Sequence, residues 1–107
     1  MDFQKIKPAV KQYLNKLKRK LPFEEVILFG SFAEGKARED SDVDLIILSD
    51  KFSQMTDDER LRVLYRQSVG FPYNLHVYGL TAKEFQSASP LTTLGEIKDK
   101  GIRISKI

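Results

Sequence analysis

Residues 29–48 read FGSFAEGKAREDSDVDLIIL, and this stretch contains most of the information about the fold. The apolar run from Glu25 to Phe29 predicts a short buried strand that stops at a Gly-Ser pair. Residues 34–41 are polar and predict a loop. The run from Asp42 to Ser49 begins polar, ends apolar and predicts a second strand. We therefore expect two strands joined by a loop, with Gly-Ser at the end of the first and two acids at the start of the second.

The residues at both ends of this loop suit a phosphate and a metal ion. Asp42 and Asp44 are two positions apart in a predicted strand, so their carboxylates lie on one face. Paired carboxylates repel each other unless a cation lies between them, and their hard oxygen atoms suit Mg²⁺ or Mn²⁺. Gly30 and Ser31 place backbone N–H groups and a hydroxyl where one small anion could bind. Each pair alone is typical of a turn or a solvated strand start, but together they favour a nucleoside triphosphate site.

The segments around this stretch alternate between helical and strand patterns. The predicted elements, in chain order, are a helix of about 3–20, the strands at 25–29 and 42–49, a helix of about 57–69 after a capping box at Thr56–Glu59, a strand at 73–78, a short helix after a capping box at Thr81–Glu84, a helix from Ser89-Pro90 to about Lys100 and a weak strand at 102–104. This order predicts a small α/β (α+β) fold, with a mixed sheet of three or four strands packed with helices.

Length and composition narrow the function classes. With 107 residues, we expect a single domain over 1–107. The chain has no cysteine, which excludes a disulfide scaffold, thiolate zinc sites and thiol catalysis. That composition fits a reducing, cytoplasmic environment. The longest apolar run, Leu45–Leu48, is far too short to span a bilayer, so we expect no membrane partner.

Charge is distributed unevenly along the chain. The formal net charge is +3, yet residues 1–20 contain seven Lys or Arg and a single acid, Asp2. The remaining residues are therefore net acidic. A basic segment can attract nucleic acid, but a solvated helix face is the more common explanation. Because no nucleic-acid motif accompanies the lysines, we do not expect nucleic acid as a partner.

The pattern Gly-Ser, ten residues, then Asp-x-Asp resembles the signature of the DNA polymerase β-like nucleotidyltransferase superfamily, in particular its minimal nucleotidyltransferase branch. The resemblance implies a polymerase β-like fold in which Gly30 and Ser31 bind the β- and γ-phosphates. It implies that Asp42 and Asp44 coordinate divalent metal, Mg²⁺ or Mn²⁺, and that Arg38 adds a phosphate contact. The implied reaction transfers a nucleoside monophosphate to an acceptor hydroxyl, with release of pyrophosphate.

The chain departs from this family at one position. Active members have a third carboxylate on a neighbouring strand, and alignment on the Thr81 helix start places His76 there. A two-residue slip places Asn74 there instead, so the choice stays open. Neutral imidazole is a poor ligand for Mg²⁺, although it is an acceptable ligand for Mn²⁺ or a transition metal and can act as a general base. We therefore count His76 as a candidate catalytic residue beside Asp42 and Asp44.

The resemblance also implies partners. Minimal nucleotidyltransferases pair with small helical HEPN-type proteins in toxin–antitoxin modules, so we expect ATP or another nucleoside triphosphate and a separate, HEPN-like protein acceptor. The antitoxin role would belong to this chain. The alternative is a module of weak or no activity that binds nucleotide or partner, because the third carboxylate is replaced. A homo-oligomer is a further prediction that the sequence leaves open.

Overall fold

In a computed structural model, which describes residues 2–89 and 91–104, the strands form one mixed sheet. The strand order is β3-β2-β1-β4, where β1 is Glu25–Phe29, β2 is Val43–Leu48, β3 is Leu75–Leu80 and β4 is Ile102–Arg103. β1 pairs antiparallel with both β2 and β4, whereas β2 pairs parallel with β3. The predicted fold class, an α/β (α+β) arrangement around a mixed sheet, is therefore confirmed.

Helices pack on both faces of this sheet. The helices are α1 (Phe3–Lys20), α2 (Asp57–Arg66), α3 (Ala82–Gln86) and α4 (Thr93–Lys100), and two short 3-10 helices cover Gly30–Phe32 and Asp50–Gln54. α1 and α2 bury their apolar sides in the larger core, against every second residue of β2 beginning at Val43. α3 and α4 pack on the opposite face in a smaller cluster that includes Ile27 and Ile46. This second face is covered less completely, and part of it is open to solvent.

Both predicted capping boxes are present. Thr56 Oγ1 accepts the N–H of Glu59, and Thr81 Oγ1 accepts the N–H of Glu84. Each glutamate in turn accepts the backbone N–H of its threonine. These reciprocal bonds satisfy donors that a helix start leaves unpaired, which explains why α2 and α3 begin where the sequence predicts.

Several predicted boundaries were wrong. The strand predicted at 73–78 lies at Leu75–Leu80, because its parallel pairing starts opposite Val43 and continues to Leu48. The helix predicted over 57–69 ends at Arg66, where Ser68 Oγ donates to the Tyr65 carbonyl and a turn follows.

The last helix starts later than predicted. α4 begins at Thr93, because the Thr92 hydroxyl accepts the N–H of Gly95 and forms the N-cap. Pro90, which was part of the predicted start, lies outside the described residues. Among the described residues, no helix is long and apolar enough to cross a membrane.

Candidate functional site

The two acids of the motif lie where β2 begins. Asp42 immediately precedes β2, and Asp44 is its second residue. Since Val43 and Leu45 point into the core beneath α1 and α2, the strand alternation directs both carboxylates to the opposite, partly open face. The Asp44 side chain is 17% exposed and that of Asp42 is 40% exposed. Asp44 is thus the inner carboxylate of the pair.

His76 lies across from these acids on β3. Its Cα is the register partner of Asp44 in the parallel β2–β3 pair. The His76 Nδ1 atom lies 3.4 Å from Asp44 Oδ1, and its Nε2 atom lies 3.6 Å from Asp42 Oδ2. Asn74 precedes β3, and its backbone carbonyl accepts the Val43 N–H at 2.8 Å. Of the two residues that the sequence left open, His76 is the one whose side chain contacts both carboxylates.

Gly30 directly follows β1 and approaches the carboxylate of Asp44. The register partner of Asp44 on this side is Phe29, so the next residue, Gly30, lies beside the Asp44 carboxylate. Gly30 has φ +74°, and a Cβ atom there would collide with Asp44 Oδ2. Ser31 follows within the 3-10 helix Gly30–Phe32, and the first N–H groups of a helix have no acceptor within it. The structure therefore brings the Gly-Ser pair and the Asp-x-Asp pair together.

Arg38 stands apart from this group. It lies in the exposed loop between β1 and β2, where its backbone N–H donates to Ser41 Oγ at 2.7 Å. No hydrogen bond or ion pair joins its guanidinium group to Asp42, Asp44 or His76. A phosphate contact from Arg38 stays a prediction from the resemblance.

The electrostatics of the site favour a bound cation. Burial raises the pKa of Asp44, His76 partly offsets that rise, and the nearby carboxylate of Asp42 adds to it. Among the described residues, no group of three or more His, Cys, Asp or Glu side chains is arranged to hold a metal ion. Two carboxylates nevertheless fit Mg²⁺, which usually binds through one or two carboxylates together with substrate phosphates and water. The carboxylates of Asp42 and Asp44 are therefore the residues present that fit a divalent metal ion.

The sequence reasoning missed the part of the site that α4 supplies. Thr93, Glu96 and Lys100 line a pocket together with Gly30 and Glu34. Lys100 Nζ lies 3.1 Å from Glu96 Oε1. The hydrogen bond and charge of Glu96 raise the pKa of Lys100, and the charge of Glu34 adds a smaller increase. The spacing of Glu96 and Lys100 indicates a helical ion pair, but no local pattern indicates which strand end a helix will cover.

Comparison with known proteins identifies the family of this domain. A sequence model of the nucleotidyltransferase domain matches residues 10–104. A candidate protein adenylyltransferase of Methanocaldococcus jannaschii is 43% identical over 44 residues, which are 39% of this chain and 44% of that protein. This match therefore spans less than half the length of that relative.

Two solved structures are similar in fold. A candidate nucleotidyltransferase from Sulfolobus solfataricus superimposes with a TM-score of 0.68 at 20% identity, covering 90% of this chain and 76% of that one. A toxin–antitoxin structure with AMP-PNP gives a TM-score of 0.60 at 19% identity, covering 85% and 68%. Because the domain match extends over most of the sequence and the fold agrees with both structures, the chain belongs to the nucleotidyltransferase domain family.

Proposed function

We propose that this domain binds a metal-bound nucleoside triphosphate, with Mg-ATP as the first candidate, and transfers its nucleoside monophosphate to an acceptor hydroxyl. The observation that supports this most directly is the convergence of Asp42 and Asp44 with Gly30 on the partly open face of the sheet. A phosphate-binding backbone next to paired carboxylates is the minimum that a metal-bound triphosphate requires.

Each motif residue has a role that follows from its position. Asp42 and Asp44 would hold the divalent cation, Mg²⁺ or Mn²⁺, which when bound neutralises charge on the α-phosphate as pyrophosphate leaves. Gly30, lacking a side chain, leaves room for the Asp44 carboxylate and for a close approach of phosphate to the backbone. The Ser31 hydroxyl and the N–H groups at the start of the 3-10 helix would orient the β- and γ-phosphates.

His76 determines whether the domain turns its substrate over. If the domain is an active transferase, the imidazole accepts the proton of the attacking hydroxyl and so replaces the third carboxylate as general base. The contacts of His76 with both acids also support the alternative, in which the imidazole acts only as an internal counter-charge and the domain binds nucleotide without transfer. The two readings share the nucleotide site and differ only in the chemical step.

The acceptor is proposed to be a hydroxyl on a separate protein. The name of the Methanocaldococcus relative, which describes a protein adenylyltransferase, and the toxin–antitoxin neighbour support this choice of acceptor class. A HEPN-type toxin, modified by this chain as antitoxin, is the specific form of the proposal. ATP is correspondingly the proposed nucleotide.

The first test is calorimetric titration with ATP in Mg²⁺ and then in Mn²⁺. We expect metal-dependent binding that disappears in the Asp42→Asn/Asp44→Asn variant. The control is Glu39→Gln/Asp40→Asn, which removes the same number of charges from the neighbouring exposed loop and should bind ATP like the wild type. Equal loss in both variants, or binding that ignores metal, would contradict the proposed site.

The second test separates the two readings through His76. Transfer of labelled AMP from α-labelled ATP to a co-purified protein partner is measured for the wild type, His76→Ala, His76→Asp and Asn74→Asp. Transfer by the wild type, lost in His76→Ala, supports the imidazole as general base. Transfer that is absent in the wild type but gained in His76→Asp supports the binding module. Because imidazole disfavours Mg²⁺, His76→Asp should also shift the metal preference from Mn²⁺ toward Mg²⁺, whereas Asn74→Asp should not.

A further inference from the structure

An apolar pocket adjoins the carboxylates on the same face of the sheet. Its floor and walls come from three strands and α4, through Phe29, Ile46, Tyr78, Leu80, Leu94 and Ile97. We propose that this pocket holds the base and ribose of the bound nucleotide, with the base against Tyr78. This assignment rests on the proposed function, because it requires a nucleotide whose phosphates lie at Gly30 and Ser31.

Strand alternation places the pocket next to the acids. Ile46 follows Asp44 by two residues, and Tyr78 follows His76 by two, so each pair shares one face of the sheet. Two residues of a strand span about 6.6 Å, which is within the reach of a nucleotide from its α-phosphate to its base. The pocket therefore lies close enough to the carboxylates for one nucleotide to reach both.

The lining suits a flat aromatic group. Ile46 is 1% exposed and forms the floor, whereas Tyr78 is 49% exposed and is therefore accessible to a ligand. The rings of Phe29 and Tyr78 have centroids 6.3 Å apart and are tilted by 38°. Nucleobases bind such rings by stacking, because every base has an aromatic face. The described part of the pocket has the character of a base-binding surface.

The pocket is continuous with the phosphate end of the site. Phe29, Thr93 and Ile97 line both this apolar pocket and the neighbouring pocket that contains Gly30 and Lys100. A nucleotide could thus extend from the Gly-Ser backbone into the apolar pocket without leaving the protein surface. The Lys100 ammonium group lies along the same path, and its positive charge is complementary to the negative charge of the phosphates.

The other side of the carboxylates differs in character. Beyond Asp42, a polar pocket is lined by Glu39, Asp40, Ser41 and Asn74, along with residues 71–73. The lining of this pocket contains two acids and no Lys or Arg, whereas Lys100 offsets Glu34 and Glu96 on the other side, so this pocket would repel a triphosphate more strongly. Phe71 and Tyr73 pack against the larger core and present little apolar surface to a base. We therefore assign the nucleoside to the Tyr78 side and leave the Asp42 side to the incoming acceptor.

The test uses the absence of tryptophan from the sequence. Tyr78→Trp introduces a single fluorophore at a half-exposed position, and Tyr73→Trp places the matched control in the pocket beyond Asp42. We expect Mg-ATP to change the fluorescence of Trp at position 78 and not at 73, and Mg-tripolyphosphate to change neither. A response at 73 alone, or none at 78 while ATP binds by calorimetry, overturns the assignment.

Affinity gives an independent measurement. Tyr78→Ala should raise the Kd for Mg-ATP by roughly five- to a hundredfold, the range expected for losing one base–aromatic stack, and leave the Kd for Mg-tripolyphosphate unchanged. Tyr78→Phe keeps the ring and should retain wild-type affinity. Equal losses for both ligands, or none, contradict the pocket assignment. If neither ligand binds the folded wild-type protein, the proposed function itself fails, which is a different result from failure of the pocket alone.

Discussion

At the scale of single residues, Gly30 is the position that tolerates least change. Two independent restraints apply to it, since its φ of +74° disfavours any side chain and a Cβ atom would collide with Asp44 Oδ2. Gly35 shares the first restraint with a φ of +73°, but nothing lies within 4 Å of its would-be Cβ. The pair therefore separates backbone strain from loss of space at the site.

We expect Gly30→Ala to abolish metal-dependent ATP binding and to lower the free energy of unfolding by about 2–4 kcal/mol, from strain and displacement of Asp44. Gly35→Ala should cost about 1 kcal/mol and bind ATP normally. Urea unfolding and calorimetry measure both effects. ATP binding by Gly30→Ala at wild-type affinity would show that the Asp44 carboxylate need not stay where it lies.

The pKa of Asp44 gives a second prediction at this scale. Because burial raises that pKa, the folded state binds more protons than the unfolded state near and above the usual carboxyl range, and stability falls as pH rises through it. Asp44→Asn should therefore increase the free energy of unfolding at neutral pH by about 0.5–1 kcal/mol, the size common when one unfavourable functional group is relieved.

Urea unfolding at several pH values measures this effect. The gain in Asp44→Asn should shrink as pH falls through the raised pKa of Asp44, and it should be lost below about 4, where the carboxyl group becomes protonated in the unfolded state as well. Asp40→Asn, at an exposed loop position, is the control and should leave stability unchanged. A stability loss in Asp44→Asn at neutral pH would contradict the destabilising role of this charge.

At the scale of elements, the sequence predicts which segments are helices and strands better than it predicts their ends. The capping boxes specify the starts of α2 and α3 because their hydrogen bonds are local. The bounds of β3 depend on pairing with β2, which is a tertiary contact that residues 73–80 do not encode by themselves. For the same reason the Gly-Ser and Asp-x-Asp pairs could be predicted, whereas the contribution of α4 to the site could not.

The two capping boxes look alike in the sequence but differ in the folded chain. The Glu84 carboxylate also accepts hydrogen bonds from Arg60 Nη1 at 2.8 Å and Nη2 at 3.3 Å. Arg60 is only 8% exposed. Glu59 forms no such bond to a buried arginine among the described residues and lies exposed in the first turn of α2. The bond from Arg60, followed by the N–H of Thr81, lowers the pKa of Glu84.

Glu84→Ala should lower the free energy of unfolding by about 1–3 kcal/mol, because it removes a cap and leaves Arg60 buried without its carboxylate. This is below the loss for a fully buried pair, since the Glu84 side chain is 44% exposed. Glu59→Ala should cost less, because only a cap is lost. Urea unfolding should give the highest free energy of unfolding for the wild type, a lower one for Glu59→Ala and the lowest for Glu84→Ala. A less stable Glu59→Ala than Glu84→Ala would contradict this interpretation.

At the scale of the whole molecule, the basic helix and the acidic site lie on opposite faces of the sheet. α1 packs on the face formed by Val43 and Leu45, whereas Asp42 and Asp44 point away from it. The cations of α1 are therefore separated from the site by the thickness of the sheet, and their charge should not assist nucleotide binding at physiological salt.

Lys11→Gln/Arg19→Gln/Lys20→Gln should leave the Kd for Mg-ATP within about twofold of the wild type at 0.15 M salt, where the Debye length is about 8 Å. All three positions are exposed on α1. The same variant tests the nucleic-acid hypothesis. A steep, salt-dependent affinity for RNA or DNA in the wild type, lost in the variant, would require nucleic acid to be added to the partners.

The pairing of Phe29 with Asp44 also explains what the ten-residue spacing means. Gly30 meets the Asp44 carboxylate because two strands are aligned, so the intervening loop only has to be long enough to turn back. Insertions or deletions near Gly35, where space is open, should therefore leave the alignment of Gly30 with Asp44 intact. A single-residue insertion within β2 would instead turn the acids toward the core, and one within β1 would move Gly30 out of its alignment with Asp44. A search for distant relatives should therefore allow the loop length to vary and hold the strand alignment fixed.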